Sequence, residues 1–306
     1  MFRPQGIYPA LLTPFDDNFR VNETELRRLL DFGIERGLDG IFPVSSVGEG
    51  VHMSFEEKCR CMEIVVDQVN GRVPVTPGVV ASMPAECVRL AKHAASIGCE
   101  AVVVTPPYFY TPGGAMVERF FETIIEQSGI PIILYNIPLF TSPLDYDMVK
   151  RLCRYELVVG MKDSSGSMVD FMHFMDKIAI AGEDIAMLTG REETLLSTLV
   201  MGAEGCMTAT AGVFPEIMVG IYKAWQQGDM EKALALQRSI LVVIRTMFAA
   251  PFPVGFKLAL ELRGIKMGPP LLPLSAADSY QTHTVKSRLR MIMEPLLAVY
   301  GEKVVA

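Results

Sequence analysis

Short runs of β-branched and other apolar residues alternate along the chain with longer segments in which apolar residues recur every three or four positions. The short runs are typical of buried strands, and the longer segments are typical of helices that bury one face. Eight runs predict strands, at residues 6–12, 40–44, 73–78, 101–105, 131–136, 157–162, 186–189 and 205–208. Strands that alternate with helices in this way favour a parallel sheet.

The segments between the predicted strands contain residues that commonly begin helices. Such pairs are Asn22 with Glu25, Ser54 with Glu57, and Ser142 with Asp145. Eight βα units close most naturally into a (β/α)₈ TIM barrel. A doubly wound open sheet is the alternative, but no GxGxxG follows the first strand to indicate dinucleotide binding.

The alternation of strands and helices stops after Gly228. Only helical patterns follow, at residues 231–249, 255–263 and 283–300, with a proline-rich segment at 268–273. We therefore predict an α/β protein with a catalytic barrel at residues 1–228 and a helical C-terminal region at 229–306. The two parts are expected to pack together as one continuous globule.

Composition excludes several classes of protein. Half of the 306 residues are apolar, 21% are charged and the net charge is −7, so the chain offers nucleic acid no basic surface. No apolar run has the ~18–20 residues of a membrane helix, and residues 1–6 lack the apolar core of a signal peptide. We expect a cytoplasmic protein with no membrane association. Six cysteines and four histidines show no metal-ligand spacing, so no metal and no cofactor are expected.

Chemically reactive side chains follow several predicted strands, where barrel enzymes hold their active sites. Lys162 ends the sixth strand and is followed by Asp163-Ser164-Ser165-Gly166. Burial disfavours an ammonium relative to the neutral amine, and a neutral amine attacks carbonyl carbon to form a Schiff base. The alternative is a lysine at a strand end whose ammonium reaches solvent.

Four motifs, in order and at matching spacing, resemble a known family over residues 6 to about 274. They are Ser46-x-Gly48-Glu49, Tyr135-Asn136-Ile137-Pro138, the segment that begins at Lys162, and Gly202-Ala203-Glu204-Gly205. They resemble the dihydrodipicolinate synthase / N-acetylneuraminate lyase family of pyruvate-dependent class I aldolases. The resemblance implies a (β/α)₈ barrel with C-terminal helices, assembled as a homotetramer that is a dimer of dimers.

The resemblance also implies catalytic roles. Lys162 would form an imine with pyruvate or another 2-oxo acid, and Tyr135 would carry a proton to and from the aldol oxygen. Ser46 and Tyr108 match the family's relay partners, and in relatives the second tyrosine reaches across a subunit boundary. Tyr108 has an alternative role as a loop aromatic that covers an apolar interface.

Other positions are expected to bind substrate. Backbone N–H groups at Ser46, Val47 and Gly48 would hold the pyruvyl carboxylate, although most relatives have a hydroxyl residue where Val47 stands. Gly190 and Met207 match positions whose carbonyls line the family's pocket, and they are equally suited to packing.

Three positions bear on the second substrate, an aldehyde. In the lysine-pathway enzyme an arginine binds the carboxylate of aspartate semialdehyde where this chain has Phe140. Glu192 and Glu193 match acidic residues that hold substrate hydroxyls in sialic acid lyase, and the alternative is an acidic pair at a helix start. Arg191, between Gly190 and Glu192, is an alternative partner for an anionic group.

We therefore expect a lyase that cleaves or forms a C–C bond between pyruvate and an aldehyde, with a 2-keto-3-deoxy sugar acid or similar hydroxylated 2-oxo acid as the preferred substrate. The alternatives are 4-hydroxy-tetrahydrodipicolinate synthase and a dehydratase or deaminase that uses the same imine. A catalytically silent barrel would not need to keep Lys162, Tyr135 and Ser46 together. A pyridoxal-phosphate barrel would need a phosphate cup near the last two strands, and the chain offers little for one.

Overall fold

A computed structural model describes residues 2–305, which form a parallel sheet covered by helices. Its six strands are β1 (Gly6–Pro9), β2 (Val102–Val104), β3 (Ile132–Asn136), β4 (Val158–Asp163), β5 (Ala186–Thr189) and β6 (Gly205–Thr208). They lie in the order β1-β6-β5-β4-β3-β2, and every pairing is parallel. The strand residues are all buried, as expected for a parallel sheet.

The predicted parallel α/β architecture is confirmed, but the predicted count of eight strands is not. Residues 40–44 and 73–78 form only isolated parallel bridges, which pair Ala10 with Phe42, Ile41 with Val75, and Gly78 with Val103. These segments contain the prolines Pro43, Pro74 and Pro77. Proline has no N–H to donate, so neither segment sustains a continuous ladder of hydrogen bonds.

Nine helices precede residue 230 within the described part of the chain. They are α1 (Glu23–Ile34), α2 (Phe55–Val69), α3 (Pro84–Ser96), α4 (Gly114–Ser128), α5 (Tyr146–Leu152), α6 (Met168–Ala181), α7 (Leu195–Val200), α8 (Ala209–Val213) and α9 (Pro215–Gln226). Short 3₁₀ turns lie at Gly50–His52 and Glu192–Thr194.

The predicted helix starts are correct at two of three places. The side chains of Asn22 and Ser54 accept hydrogen bonds from the backbone N–H groups of the third residues that follow them, at the starts of α1 and α2. The third start was predicted at Ser142, but α5 begins at Tyr146. There the carboxylate of Asp145 accepts from two N–H groups of the first turn, so the aspartate is the cap.

Three helices follow residue 229: α10 (Met230–Met247), α11 (Val254–Glu261) and α12 (Ala276–Ala298). The last begins at Ala276 rather than at the predicted residue 283, because Ser275 and Asp278 form a reciprocal capping box. Apolar residues of these helices belong to the same hydrophobic cluster as the sheet. The division at residue 228 stays a prediction. None of the helices within residues 2–305 combines the length and apolarity needed to cross a bilayer.

Candidate active site

Lys162 and Tyr135 lie side by side at the C-terminal ends of β4 and β3. The register of these parallel strands pairs the Cα of Tyr135 directly with the Cα of Lys162. Both side chains are almost fully buried, and Lys162 Nζ lies 4.0 Å from the centroid of the Tyr135 ring. The ring of Phe42 is the next aromatic neighbour, at 4.8 Å from the same nitrogen. An amine held between aromatic rings has a defined direction of approach to a ligand.

The residues that follow this pair lock the two strand ends together. Asn136 Nδ2 donates to Asp163 Oδ1 at 2.7 Å, and Ser165 Oγ donates to Asp163 Oδ2 at 2.7 Å. Asn136 Oδ1 in turn accepts from the backbone N–H of Leu144. Burial raises the pKa of Asp163. The carboxylate thus acts as a buried acceptor that fixes the spacing of β3 and β4.

The loop after β5 approaches Lys162 very closely at Gly190. A Cβ atom placed on Gly190 would lie 2.6 Å from Lys162 Cε and inside van der Waals contact with Ser164 Oγ. Only glycine fits here without moving the lysine. Ser164 Oγ is itself buried and makes no hydrogen bond to the part of the chain that the structure describes. The sequence reasoning missed Ser164, although it is part of the motif that begins at Lys162.

Two adjoining cavities open beside these residues. The larger has a volume of about 500 Å³ and is lined by the three predicted hydroxyl residues, Ser46, Tyr108 and Tyr135. Burial raises the pKa of Tyr108. The smaller has a volume of about 60 Å³ and includes Lys162 in its wall. Ser46, Tyr135, Ile137, Phe140 and Phe252 line both cavities.

The smaller cavity brings together most of the predicted substrate-binding residues. Val47, Phe140, Gly190, Glu192 and Met207 all lie in its wall. The fully buried Glu192 accepts from the N–H of Thr210 at 3.2 Å, and burial raises the pKa of its carboxyl group.

Two predicted binding residues, Gly48 and Glu193, are not among those that line either cavity. The N–H of Gly48 donates to Ser45 Oγ at 3.0 Å, so it is used within the protein. The N–H groups of Ser46 and Val47 donate to no residue within 2–305. A ligand carboxylate therefore has two donors in this turn rather than the three that the sequence suggested.

A buried ion pair ties the same turn to the C-terminal helices. Glu49 Oε1 lies 2.6 Å from Lys257 Nζ of α11, and both side chains are at most 3% exposed. Glu49 Oε2 also accepts from the N–H of Leu271 at 2.7 Å. Burial lowers the pKa of Lys257 while the nearby carboxylate opposes that change. The turn that carries Ser46 and Val47 is thus anchored to the helical region.

Aromatic side chains form one side of the smaller cavity, and sequence reasoning identified only one of them. Phe140 packs against Phe252, with ring centroids 5.4 Å apart, and Phe248 and Phe256 pack next to Phe252. Three of the four come from residues 248–256, close to the start of α11. They escaped notice because apolar residues in a helical region are typical of core packing.

The fold and the site together define an α/β enzyme with a buried lysine–tyrosine pair at the C-terminal ends of parallel strands. The chain belongs to the dihydrodipicolinate synthetase family, whose sequence profile matches residues 3–292. It is accordingly an enzyme of the aldolase type that this family comprises.

Relatives and solved structures agree with this assignment. The chain is 34% identical over 294 residues to the 4-hydroxy-tetrahydrodipicolinate synthase of Methanopyrus kandleri, covering 95% of this chain and 97% of that protein. A prophage protein of the dihydrodipicolinic acid synthase family from E. coli K12, solved in complex with pyruvate, superposes with a TM-score of 0.89 at 28% identity, covering 94% and 98% of the two chains. The dihydrodipicolinate synthase of Aquifex aeolicus gives a TM-score of 0.88 at 26% identity, with the same coverage.

Proposed function

We propose that this protein is a metal-independent class I aldolase in which Lys162 forms an imine with pyruvate. The observation that carries the proposal is the buried amine of Lys162, which lies against the Tyr135 ring and lines a cavity. A structural relative is described as a complex with pyruvate, which supports pyruvate as the donor substrate.

In the first stage the neutral amine of Lys162 adds to the ketone carbon of pyruvate, and uptake of one proton with loss of water gives a protonated imine. The imine withdraws electrons from the neighbouring methyl carbon, which loses a proton to give an enamine. The enamine carbon then attacks the carbonyl carbon of an aldehyde, and hydrolysis of the new imine releases the product. Cleavage follows the same steps in reverse.

Tyr135 is the group best placed to move protons in these steps. Its ring lies beside the amine, and the residue lines both cavities together with Ser46. The phenol would protonate the aldehyde oxygen as the C–C bond forms and recover the proton from solvent through Ser46 and Tyr108. The free N–H groups of Ser46 and Val47 would hold the pyruvyl carboxylate.

The identity of the aldehyde is a finer part of the proposal. A 2-keto-3-deoxy sugar acid needs acceptors for its hydroxyls, and Glu192 is in the cavity wall whereas Glu193 is not. A second candidate, condensation with aspartate semialdehyde, is supported by relatives named 4-hydroxy-tetrahydrodipicolinate synthase. The uncharged side chain of Phe140 cannot form an ion pair with the carboxylate of that substrate. The homotetramer, the cytoplasmic location and the division at residue 228 stay predictions.

The imine is tested by reduction with borohydride in the presence of pyruvate. We expect a covalent adduct on Lys162, located by mass spectrometry of peptides, and no adduct in Lys162→Ala. Lys58→Met is the matched control, because Lys58 is equally buried but donates to the carbonyl of Val80. That variant should label normally. An adduct on another lysine in the wild-type protein would disprove the assignment.

A further inference from the structure

Arg191 lines the wall of the cavity that contains Lys162, and its guanidinium has no hydrogen-bond partner among residues 2–305. The residue immediately follows Gly190, and its Cζ is 5.5 Å from the centroid of the Phe248 ring. Within residues 2–305 no side chain or carbonyl forms a hydrogen bond or ion pair with this guanidinium. Arg263, in contrast, is paired with both Glu216 and Glu302. A partly buried guanidinium with no acceptor is an uncompensated charge in the site.

Glu192 interacts electrostatically with Arg191, but within residues 2–305 it forms no hydrogen bond or ion pair with the guanidinium. The carboxyl group of Glu192 accepts from the N–H of Thr210, and burial raises its pKa and favours the neutral acid. Glu193 is not among the residues that line the cavity. Among the described residues of the wall, the one other lysine or arginine is Lys162, whose amine is engaged as an imine during the proposed reaction.

We propose that Arg191 binds an anionic group at the far end of the second substrate, so that the enzyme selects an aldehyde that ends in a carboxylate or a comparable anion. This inference rests on the proposed imine chemistry at Lys162. Guanidinium binds carboxylate through two parallel N–H···O bonds, which gives both energy and orientation. The aromatic side chains Phe140, Phe248 and Phe252 would enclose the carbon chain between the two polar ends.

Arg191 lies at a different position from the arginine of the lysine-pathway enzyme, which stands where this chain has Phe140. Phe140 follows β3, whereas Arg191 follows β5, and β4 with Lys162 lies between these strands. The guanidinium of Arg191 would supply the anion-binding group that is missing at Phe140. It is also compatible with a hydroxylated substrate, provided that the substrate has an anionic end.

The test uses 2-oxo acids that extend from Lys162 as an aldol product does. Each dicarboxylate, 2-oxoglutarate, 2-oxoadipate or 2-oxopimelate, is compared with the monocarboxylate of equal chain length, which ends in methyl. The concentration that gives half-maximal borohydride trapping is measured for the wild type and for Arg191→Gln. Arg154→Gln is the control, because Arg154 is exposed and lines neither cavity.

We expect the wild type to bind at least one dicarboxylate about 10-fold or more tightly than the monocarboxylate of equal chain length. A difference of about 10-fold corresponds to the lower end of the free energy of a charge-assisted hydrogen bond. Arg191→Gln should remove this preference by weakening the dicarboxylates about 10-fold more than the monocarboxylates of equal length. The inference is wrong if the wild type shows no preference in any pair, or if Arg191→Gln weakens both members equally. Failure to trap pyruvate at all would instead refute the imine at Lys162, so the two failures are distinguishable.

Discussion

Replacing Gly190 with alanine tests whether the loop after β5 holds the reactive amine in place. The added Cβ would lie 2.6 Å from Lys162 Cε and too close to Ser164 Oγ. Rotation of the Ser164 side chain would move its Oγ away but leave its Cβ close by, and the lysine chain must shift. The backbone of Gly190 is not in a conformation that requires glycine, so the effect is steric rather than conformational.

We expect overpacking to cost about 1–3 kcal/mol of stability. A shift of the amine by about 1 Å should lower the rate of imine formation by roughly 100-fold. The rate is measured by borohydride trapping with pyruvate, at a temperature where thermal unfolding shows the variant to be folded. Combining Gly190→Ala with Ser164→Ala removes one of the two contacts and should recover part of the rate.

Gly113→Ala is the matched control, because its Cβ would meet no atom within 4 Å. Its trapping rate should equal that of the wild type. If Gly190→Ala also forms the imine at the wild-type rate, the packing of Gly190 against Lys162 does not position the amine, and this explanation of the glycine fails.

Three further predictions concern the proton route and the buried charges. Tyr135→Phe should trap pyruvate normally but lose about 100-fold or more in kcat, as expected when a general acid–base group is removed; an unchanged kcat would exclude the tyrosine from proton transfer. Because burial raises the pKa of Glu192, the folded protein holds this proton to higher pH than the unfolded chain, and stability falls as pH rises through the folded pKa. Glu192→Gln should lose less stability than the wild type as the pH rises above the ordinary range of a carboxyl group, which melting curves will show; parallel curves would mean that the residue does not titrate in this way. Glu49→Gln should lower the free energy of unfolding in urea by about 3–5 kcal/mol because it leaves Lys257 without its buried partner. The double variant Glu49→Gln, Lys257→Met should lower the free energy of unfolding by less. A double variant that is less stable than the single one would contradict this.

The sequence by itself predicted the parallel α/β architecture and the positions of six strands. Two of these, Ala186–Thr189 and Gly205–Thr208, match the structure at both ends. Such agreement is possible because apolar periodicity and strand length are local properties of the chain. The same reasoning overestimated the segments that contain Pro43, Pro74 and Pro77, where the missing N–H groups interrupt the hydrogen-bond ladder and leave isolated bridges.

The sequence likewise indicated the lysine and the tyrosine, because each ends a strand-like run within a motif. Tertiary structure decided how the two meet: the β3–β4 register pairs Tyr135 with Lys162, and no local pattern specifies register between strands that are separated by a helix. It also decided which nearby groups are available to a ligand. The N–H of Gly48 donates to Ser45, and Arg191 lines the cavity with no hydrogen-bond partner for its guanidinium among residues 2–305. Both outcomes depend on contacts between side chains and loops that only the folded chain brings together.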